Sequence, residues 1–135
     1  ANVRNLLNKS HQMRNLPTAN NVRQEIQDKK QREVFDKLVE LVNANLTDQQ
    51  FSVDHLCLEL GMNRTKLYSF IKSTTGMSLG NYIRKIRLDK AAELLRTTDM
   101  SISEVGYAVG IESPSYFTRT FKEQFGSSPS EFIKH

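Results

Sequence analysis

The sequence predicts an all-α fold: two helix-turn-helix subdomains joined by a long linking helix, with an N-terminal helical linker ahead of them. Three observations predict it. No stretch alternates apolar and polar residues long enough to read as a strand, and every long apolar pattern has helical spacing. Serines and glycines sit where helices should start and stop. The segment from Ser52 to Gly76 also returns, with the same punctuation, between Ser101 and Gly126.

The elements follow in order. Val3, Leu6 and Leu7 open a short helical pattern that Pro17 cannot continue, because proline has no N–H to donate and clashes with the preceding turn. Thr18 to Gln31 is rich in Asn, Gln and charge, with Val22 and Ile26 as its only apolar anchors, and reads as a polar linker. The expected division is therefore a linker over residues 1–31 and a domain over residues 32–135. Val34, Phe35, Leu38, Val42 and Leu46 then give an i, i+4 stripe, with Val39 and Leu41 beside it. Ser52 caps a helix that runs to Leu60 and stops at Gly61. The next helix is expected over Arg64–Thr74, closed by Gly76. Ser78 caps a longer one, whose apolar positions Leu79, Tyr82, Ile83, Ile86 and Leu94 hold one face as far as Arg96. Ser101 or Ser103 starts a helix that stops at Gly110. Pro114 suits the first turn of the next, expected over Pro114–Phe125 and closed by Gly126. Ser128-Pro129-Ser130-Glu131 combines capping-box spacing with a first-turn proline and predicts a short terminal helix.

The repeat gives these helices an organisation. Ser52-Val53-Asp54-His55-Leu56 aligns with Ser101-Ile102-Ser103-Glu104-Val105, and Leu60-Gly61-Met62-Asn63 with Val109-Gly110-Ile111-Glu112, at an offset of 49. One residue inserted in the second turn raises the offset to 50, pairing Leu67 with Phe117, Ile71 with Phe121 and Gly76 with Gly126. A short helix, a glycine turn and a second helix with an apolar inner face make a helix-turn-helix, whose second helix can enter the major groove of DNA. Two copies on one rod are far more specific than one. The nineteen residues from 78 to 96 span roughly 28 Å as a helix. That approaches the turn of B-DNA, about 34 Å, that separates successive major grooves.

Charge is uneven along the chain. Residues 61–90 hold Arg64, Lys66, Lys72, Arg84, Lys85, Arg87 and Lys90 against Asp89 alone, while the flanking segments are neutral or slightly acidic. Such a block fits a polyanionic partner. The alternative is a helical protein-interaction module whose basic face meets an acidic protein. The two differ in salt response, since neutralising phosphates makes affinity for any duplex fall steeply with salt. Arg87 is expected either to touch DNA or to pair with Glu93 or Asp89.

Other classes of function find little support. A single cysteine, Cys57, allows no intrachain disulfide and no multi-cysteine zinc site. His55 and Cys57, two residues apart, point to different helix faces and make a poor metal pair. There is no glycine-rich phosphate loop, no Ser/His/Asp order and no clustered carboxylate site, so no enzyme activity, cofactor or metal is expected. No apolar run nears the ~20 residues that span a bilayer. Ala1 to Lys9 lack the pattern of a signal peptide. The expected setting is the cytoplasm, without membrane contact by this segment.

Several motifs carry a resemblance. They are Leu60-Gly61-Met62-Asn63-Arg64-Thr65-Lys66-Leu67-Tyr68, then Tyr82-Ile83-Arg84 with Arg87-Leu88, and Ala91-Ala92-Glu93-Leu94-Leu95. The most specific is Ile102-Ser103-Glu104-Val105-Gly106-Tyr107-Ala108-Val109-Gly110-Ile111, continued by Ser113-Pro114-Ser115-Tyr116-Phe117-Thr118-Arg119-Thr120-Phe121-Lys122 and Phe125-Gly126-Ser127-Ser128-Pro129. From about Val34 to His135 the chain resembles the DNA-binding domain of AraC/XylS-family transcription regulators. The resemblance implies a seven-helix fold and a sequence-specific regulator of transcription that binds double-stranded DNA. RNA polymerase is an expected further partner, and homodimerisation is expected through upstream domains, because the apolar anchors of residues 1–33 are too sparse for a heptad seam. Val3-Arg4-Asn5-Leu6-Leu7 resembles the exit helix of a response-regulator receiver domain, which implies the output end of a hybrid two-component protein.

Candidate contacts follow from both lines. In the first recognition helix Asn63, Arg64, Thr65, Lys66, Tyr68, Ser69 and Lys72 are polar, while Leu67, Phe70 and Ile71 turn to the core. By the resemblance, Thr65, Lys66, Tyr68 and Ser69 match the groove-facing set. In the second, Ser115, Tyr116, Thr118, Arg119 and Lys122 face away from Phe117, Phe121 and Phe125. Arg119 is the best base reader, since a guanidinium can bond guanine O6 and N7 together. Its ordinary alternatives are a phosphate contact or an ion pair with Glu123 or Glu112. Lys122 suits a phosphate. Ser78, Ser101, Ser103 and Ser128 are caps whose hydroxyls or neighbouring amides could also hold phosphates.

Overall fold

The computed structural model describes residues 19–48 and 50–133, which form helices and turns with no strand among them. In chain order the helices are α1 (Ala19–Glu25), α2 (Lys29–Ala44), α3 (Val53–Leu60), α4 (Arg64–Thr75), α5 (Leu79–Thr97), α6 (Ile102–Ala108), α7 (Pro114–Phe125) and α8 (Pro129–Ile133). The segment Val3 to Leu7, with its resemblance to a receiver exit helix, lies outside the described residues.

Local chemistry sets the boundaries. Asp28 accepts from the Gln31 N–H at 3.0 Å and starts α2 two residues ahead of Gln31. Ser101, not Ser103, caps α6: its hydroxyl accepts from the Glu104 N–H while the Glu104 carboxylate accepts from the Ser101 N–H. Ser128 and Glu131 close the same reciprocal box on α8. In α3 the box is closed by an imidazole, with His55 Nδ1 accepting from the Ser52 N–H at 3.3 Å. That gives His55 a structural task which its scattered position in the sequence did not suggest. Gly76 and Gly126 end the two recognition helices in the left-handed conformation, and α4 runs one residue past the expected Thr74.

Two cores form, one at each end of α5. The first gathers Phe35, Leu38 and Val42 of α2, Leu56 of α3, Leu67, Phe70 and Ile71 of α4, and Leu79, Tyr82 and Ile86 of α5. The second gathers Leu88, Ala91, Ala92 and Leu95 of α5, Val105 and Val109 around α6, and Phe117 and Phe121 of α7. The linking helix is thus buried on a face that turns as it passes from one core to the other. A single stripe does not describe it. Ile83 and Leu94, expected inside, are half-buried, while Lys85 is buried at 3% exposure. Its Nζ meets the Asp89 carboxylate at 2.5 Å, four residues on, which offsets the cost of burying the charge. Burial, with the nearby Asp89 charge, pushes the Tyr82 phenol well above its ordinary range.

The polar stretch before residue 32 is more than a connecting linker. Val22 and Ile26, one helical turn apart, are 2% and 6% exposed and belong to the first core, and Arg23 bonds the Asp36 carboxylate of α2 at 2.8 Å. The sequence offered both anchors. What it could not supply was the surface that receives them, and a seven-residue helix has little stability without one.

Candidate nucleic-acid interface

Each unit packs a scaffold helix, α3 or α6, against a recognition helix, α4 or α7, and buries the inner side of both. On α4 the exposed side chains include Thr65, Lys66, Tyr68, Ser69 and Lys72, and on α7 Ser115, Thr118, Arg119 and Lys122. Within each helix these lie on the edge opposite Leu67 and Ile71, or Phe117 and Phe121. A polar edge backed by a fixed apolar one is the form a groove-reading helix needs.

The candidates differ in how free they are. Asn63 is the N-cap of α4, its carbonyl oxygen accepting from the Lys66 N–H at 2.8 Å. Arg64 bonds Asp54 of α3 at 2.9 Å and reaches the Tyr68 hydroxyl at 3.2 Å. The Asp54 contact holds its guanidinium above the ordinary value. Lys72 donates to the Gly76 carbonyl at 3.2 Å, at the far end of α4. Thr65, Lys66 and Ser69 are exposed, and the side walls of Lys66 and Ser69 line a groove with Lys30 and Gln31 at the start of α2. On α7, Ser115 exchanges a hydrogen bond with the N-cap Ser113, and Arg119 lies over the Tyr116 ring at 5.3 Å. That stack lays the guanidinium against the ring while the residue as a whole stays exposed.

Tyr116 does not face away from the domain as expected. It is half-buried, and its hydroxyl accepts from Arg84 of α5 at 3.1 Å. A second tether runs from Gln124 of α7 to Asp89 of α5 at 2.8 Å. Both signals hide in residues whose partners are more than thirty positions away in the chain.

The basic block of residues 61–90 is no continuous face. Lys85 is inside, Lys90 pairs with Glu93 at 3.0 Å, and Arg84 is tied to Tyr116. Arg87 pairs with neither Glu93 nor Asp89 but bonds two backbone carbonyls, those of Leu46 and Val109. Burial lowers its guanidinium from the ordinary value. Among the described residues no helix is long and apolar enough to cross a membrane, and no group of acidic, His and Cys side chains could hold a metal ion.

Comparison with known proteins gives this geometry a family. The helix-turn-helix domain family matches residues 56–135. Histidine kinase P4 of Formosa agariphila is 37% identical over 100 residues, covering 74% of this chain and 7% of that protein. The chain spans between 7% and 32% of the length of the first curated relatives it matches. A transcriptional regulator of Chromobacterium violaceum, described as an AraC-type DNA-binding domain-containing protein, superposes with a TM-score of 0.72 at 27% identity, covering 79% of this chain and 95% of that one. The DNA-binding domain of AdpA, solved with a target DNA, superposes at 0.64 and 28% identity over 79% of this chain and 92% of that one. With the fold, the repeated unit and the matched residues in agreement, this chain belongs to the AraC family of DNA-binding transcription regulators.

Proposed function

We propose that this chain is the output domain of a longer signalling protein and reads double-stranded DNA with α4 and α7 in successive major grooves. The observation that carries this reading is the likeness to the AdpA domain solved on DNA, over most of both chains. Thr65, Lys66, Tyr68 and Ser69 would read or grip one groove, and Ser115, Thr118, Arg119 and Lys122 the next. Asn63, Arg64 and Lys72, exposed but also bonded within the fold, would add contacts from the same helix. The match to a histidine kinase supports a two-component origin, with the signal and dimerisation supplied upstream and RNA polymerase as the downstream partner. The role assigned to this segment is binding, not catalysis, and its setting is the cytoplasm. The folded unit takes in Val22 and Ile26, ahead of residue 32, because both are part of the first core.

The test is selection of duplexes from a random pool, followed by anisotropy titrations on the winner and on a scrambled copy across a salt series. A selected site should bind at least a thousandfold more tightly than random sequence, with affinity falling linearly in log–log against salt. No preference for any duplex, together with a shallow salt dependence, would point instead to the protein-interaction alternative.

A further inference from the structure

Arg87 sits in the middle of α5, where the first core gives way to the second. Its Nη1 donates to the Leu46 carbonyl at 2.5 Å and to the Val109 carbonyl at 2.9 Å. Leu46 follows α2 and belongs to the first unit; Val109 ends α6 and belongs to the second. One guanidinium on the linking helix therefore holds backbone from both units. The Leu46 side chain packs against both cores, so apolar and polar contacts meet at the same junction.

Gly110 completes the arrangement. Its φ of +82° disfavours any side chain, and a Cβ there would collide with the Arg87 guanidinium and the Leu46 carbonyl. Backbone of the second unit can approach the first this closely only at a glycine. Two further ties, Arg84 to Tyr116 and Asp89 to Gln124, fasten α7 to α5 but do not reach α2, α3 or α4. A charged donor shared between two carbonyls is stronger and more directional than neutral packing.

We propose that Arg87, seated on Gly110, is a positioning residue that fixes the two recognition helices at one separation and rotation, and so sets which spacing between two DNA half-sites the chain accepts. This rests on the DNA-reading function proposed above. Two linked heads gain affinity only where their geometry lets both engage at once. Each base pair inserted between the half-sites moves the second groove by roughly 3.4 Å and turns it by about 35°. A rigid pair rejects that change, and a hinged pair tolerates it.

Two readouts test the proposal in the whole chain. The first needs no DNA. Spin labels at Ser73→Cys on α4 and Glu123→Cys on α7, in a Cys57→Ala background, report the distance between the recognition helices. The distribution should be single and narrow with Arg87 present, broad in Arg87→Met, and intermediate in Arg87→Lys, which keeps the charge but whose ammonium ends one bond short of the Nη1 position. If Arg87→Met fails to fold, Arg87→Lys still decides. An unbroadened distribution in the folded variants would overturn the proposal. The second readout is affinity for the selected duplex and for copies with one or two base pairs inserted between the contact blocks. The native chain should lose between one and two orders of magnitude on insertion, and the variants only about threefold, with binding to a single intact half-site unchanged. Equal spacer sensitivity in native and variant chains would also overturn it. Should the native chain prefer no duplex, the DNA-reading function falls, while the label distances still judge the strut.

Discussion

The two helix-turn-helix units share a plan and differ in what they show to solvent. Inward positions match in kind: Leu56 with Val105, Met62 with Ile111, Leu67 with Phe117, Ile71 with Phe121. The match continues past the recognition helices, because Ser78 and Ser128 both cap helices and Tyr82 and Phe132 both pack against their own core. Outward positions match less well, although Lys72 and Lys122 are alike. Ser69 of the first unit corresponds to Arg119 of the second, Arg64 to Pro114, and the capping residue His55 to Glu104. Folding constrains one side of each helix, and the other side is left for recognition.

The largest effects should come from the inward pair. Phe121 touches Phe117, Phe125 and Phe132, so Phe121→Ala should cost about 3–5 kcal/mol, and its counterpart Ile71→Ala about 2–5 kcal/mol. Denaturant melts of both variants measure this. Equal, small losses would mean that the matched positions are not the pillars of their cores. Next comes the element that the first unit has and the second lacks. Ile26→Ala should cost about 2 kcal/mol by loosening α1 from the first core, and native-state hydrogen exchange should open α2 before α7.

On DNA the outward pair should diverge. Arg119→Ala should lose roughly 1–3 kcal/mol on the selected duplex and relax preference at one base pair. Ser69→Ala should lose about 0.5–1.5 kcal/mol. A loss for Arg119→Ala that is the same on every sequence would make it a phosphate contact. Asp54→Asn should act oppositely. Freeing Arg64 from its exposed ion pair should raise affinity for all duplexes and steepen the salt slope by about one, with the melting temperature nearly unchanged.

The smallest effect separates the capping boxes of α3 and α6. The Ser101 N–H, followed by its hydroxyl, holds the Glu104 carboxyl below its ordinary value of 4.5. A lowered folded value means that the ionised group favours the fold above about 4.5, and that this contribution fades as the pH falls through the folded value. The gap in melting temperature between the native chain and Glu104→Gln should be present at neutral pH and close in acid. A gap that persists unchanged in acid would show that the carboxylate charge is irrelevant to the cap.

Much of this was legible before any coordinates. Helix starts at Ser52, Ser78 and Ser101, the stops at Gly76 and Gly126, and the paired apolar positions are local signals with local physics. The exposed edges of α4 and α7 were legible too, since the residues opposite an apolar stripe on a helix face solvent. The illegible part was the role of charge. Lys85, Arg84 and Arg87 read as members of one basic block, with only Arg87 given an internal partner, and such residues are seldom buried without one. Their partners here are a carboxylate four residues on, a phenol thirty-two residues on, and carbonyls contributed by distant turns. Net charge over a window counts such groups and cannot say which are already spent. Val22 and Ile26 failed in the other direction: two anchors in a polar stretch say nothing about a receiving surface.

The tethers on α5 have one more consequence. Since α8 stands to the second unit as the first turn of α5 stands to the first, each unit carries its own closing helix, and the two resemble interchangeable cassettes. Their seats differ. Arg84 needs the hydroxyl of Tyr116 and Asp89 needs the amide of Gln124. The first unit offers Lys66 and Thr74 at the same places. Moved to the second seat, it would set an ammonium against a guanidinium and leave Asp89 without its amide. The order of the units along the rod is therefore keyed. Symmetric dimers of single helix-turn-helix subunits read sites that look the same from either end. A chain with unlike heads in unlike seats has a front and a back, and so does any stretch of duplex that it reads.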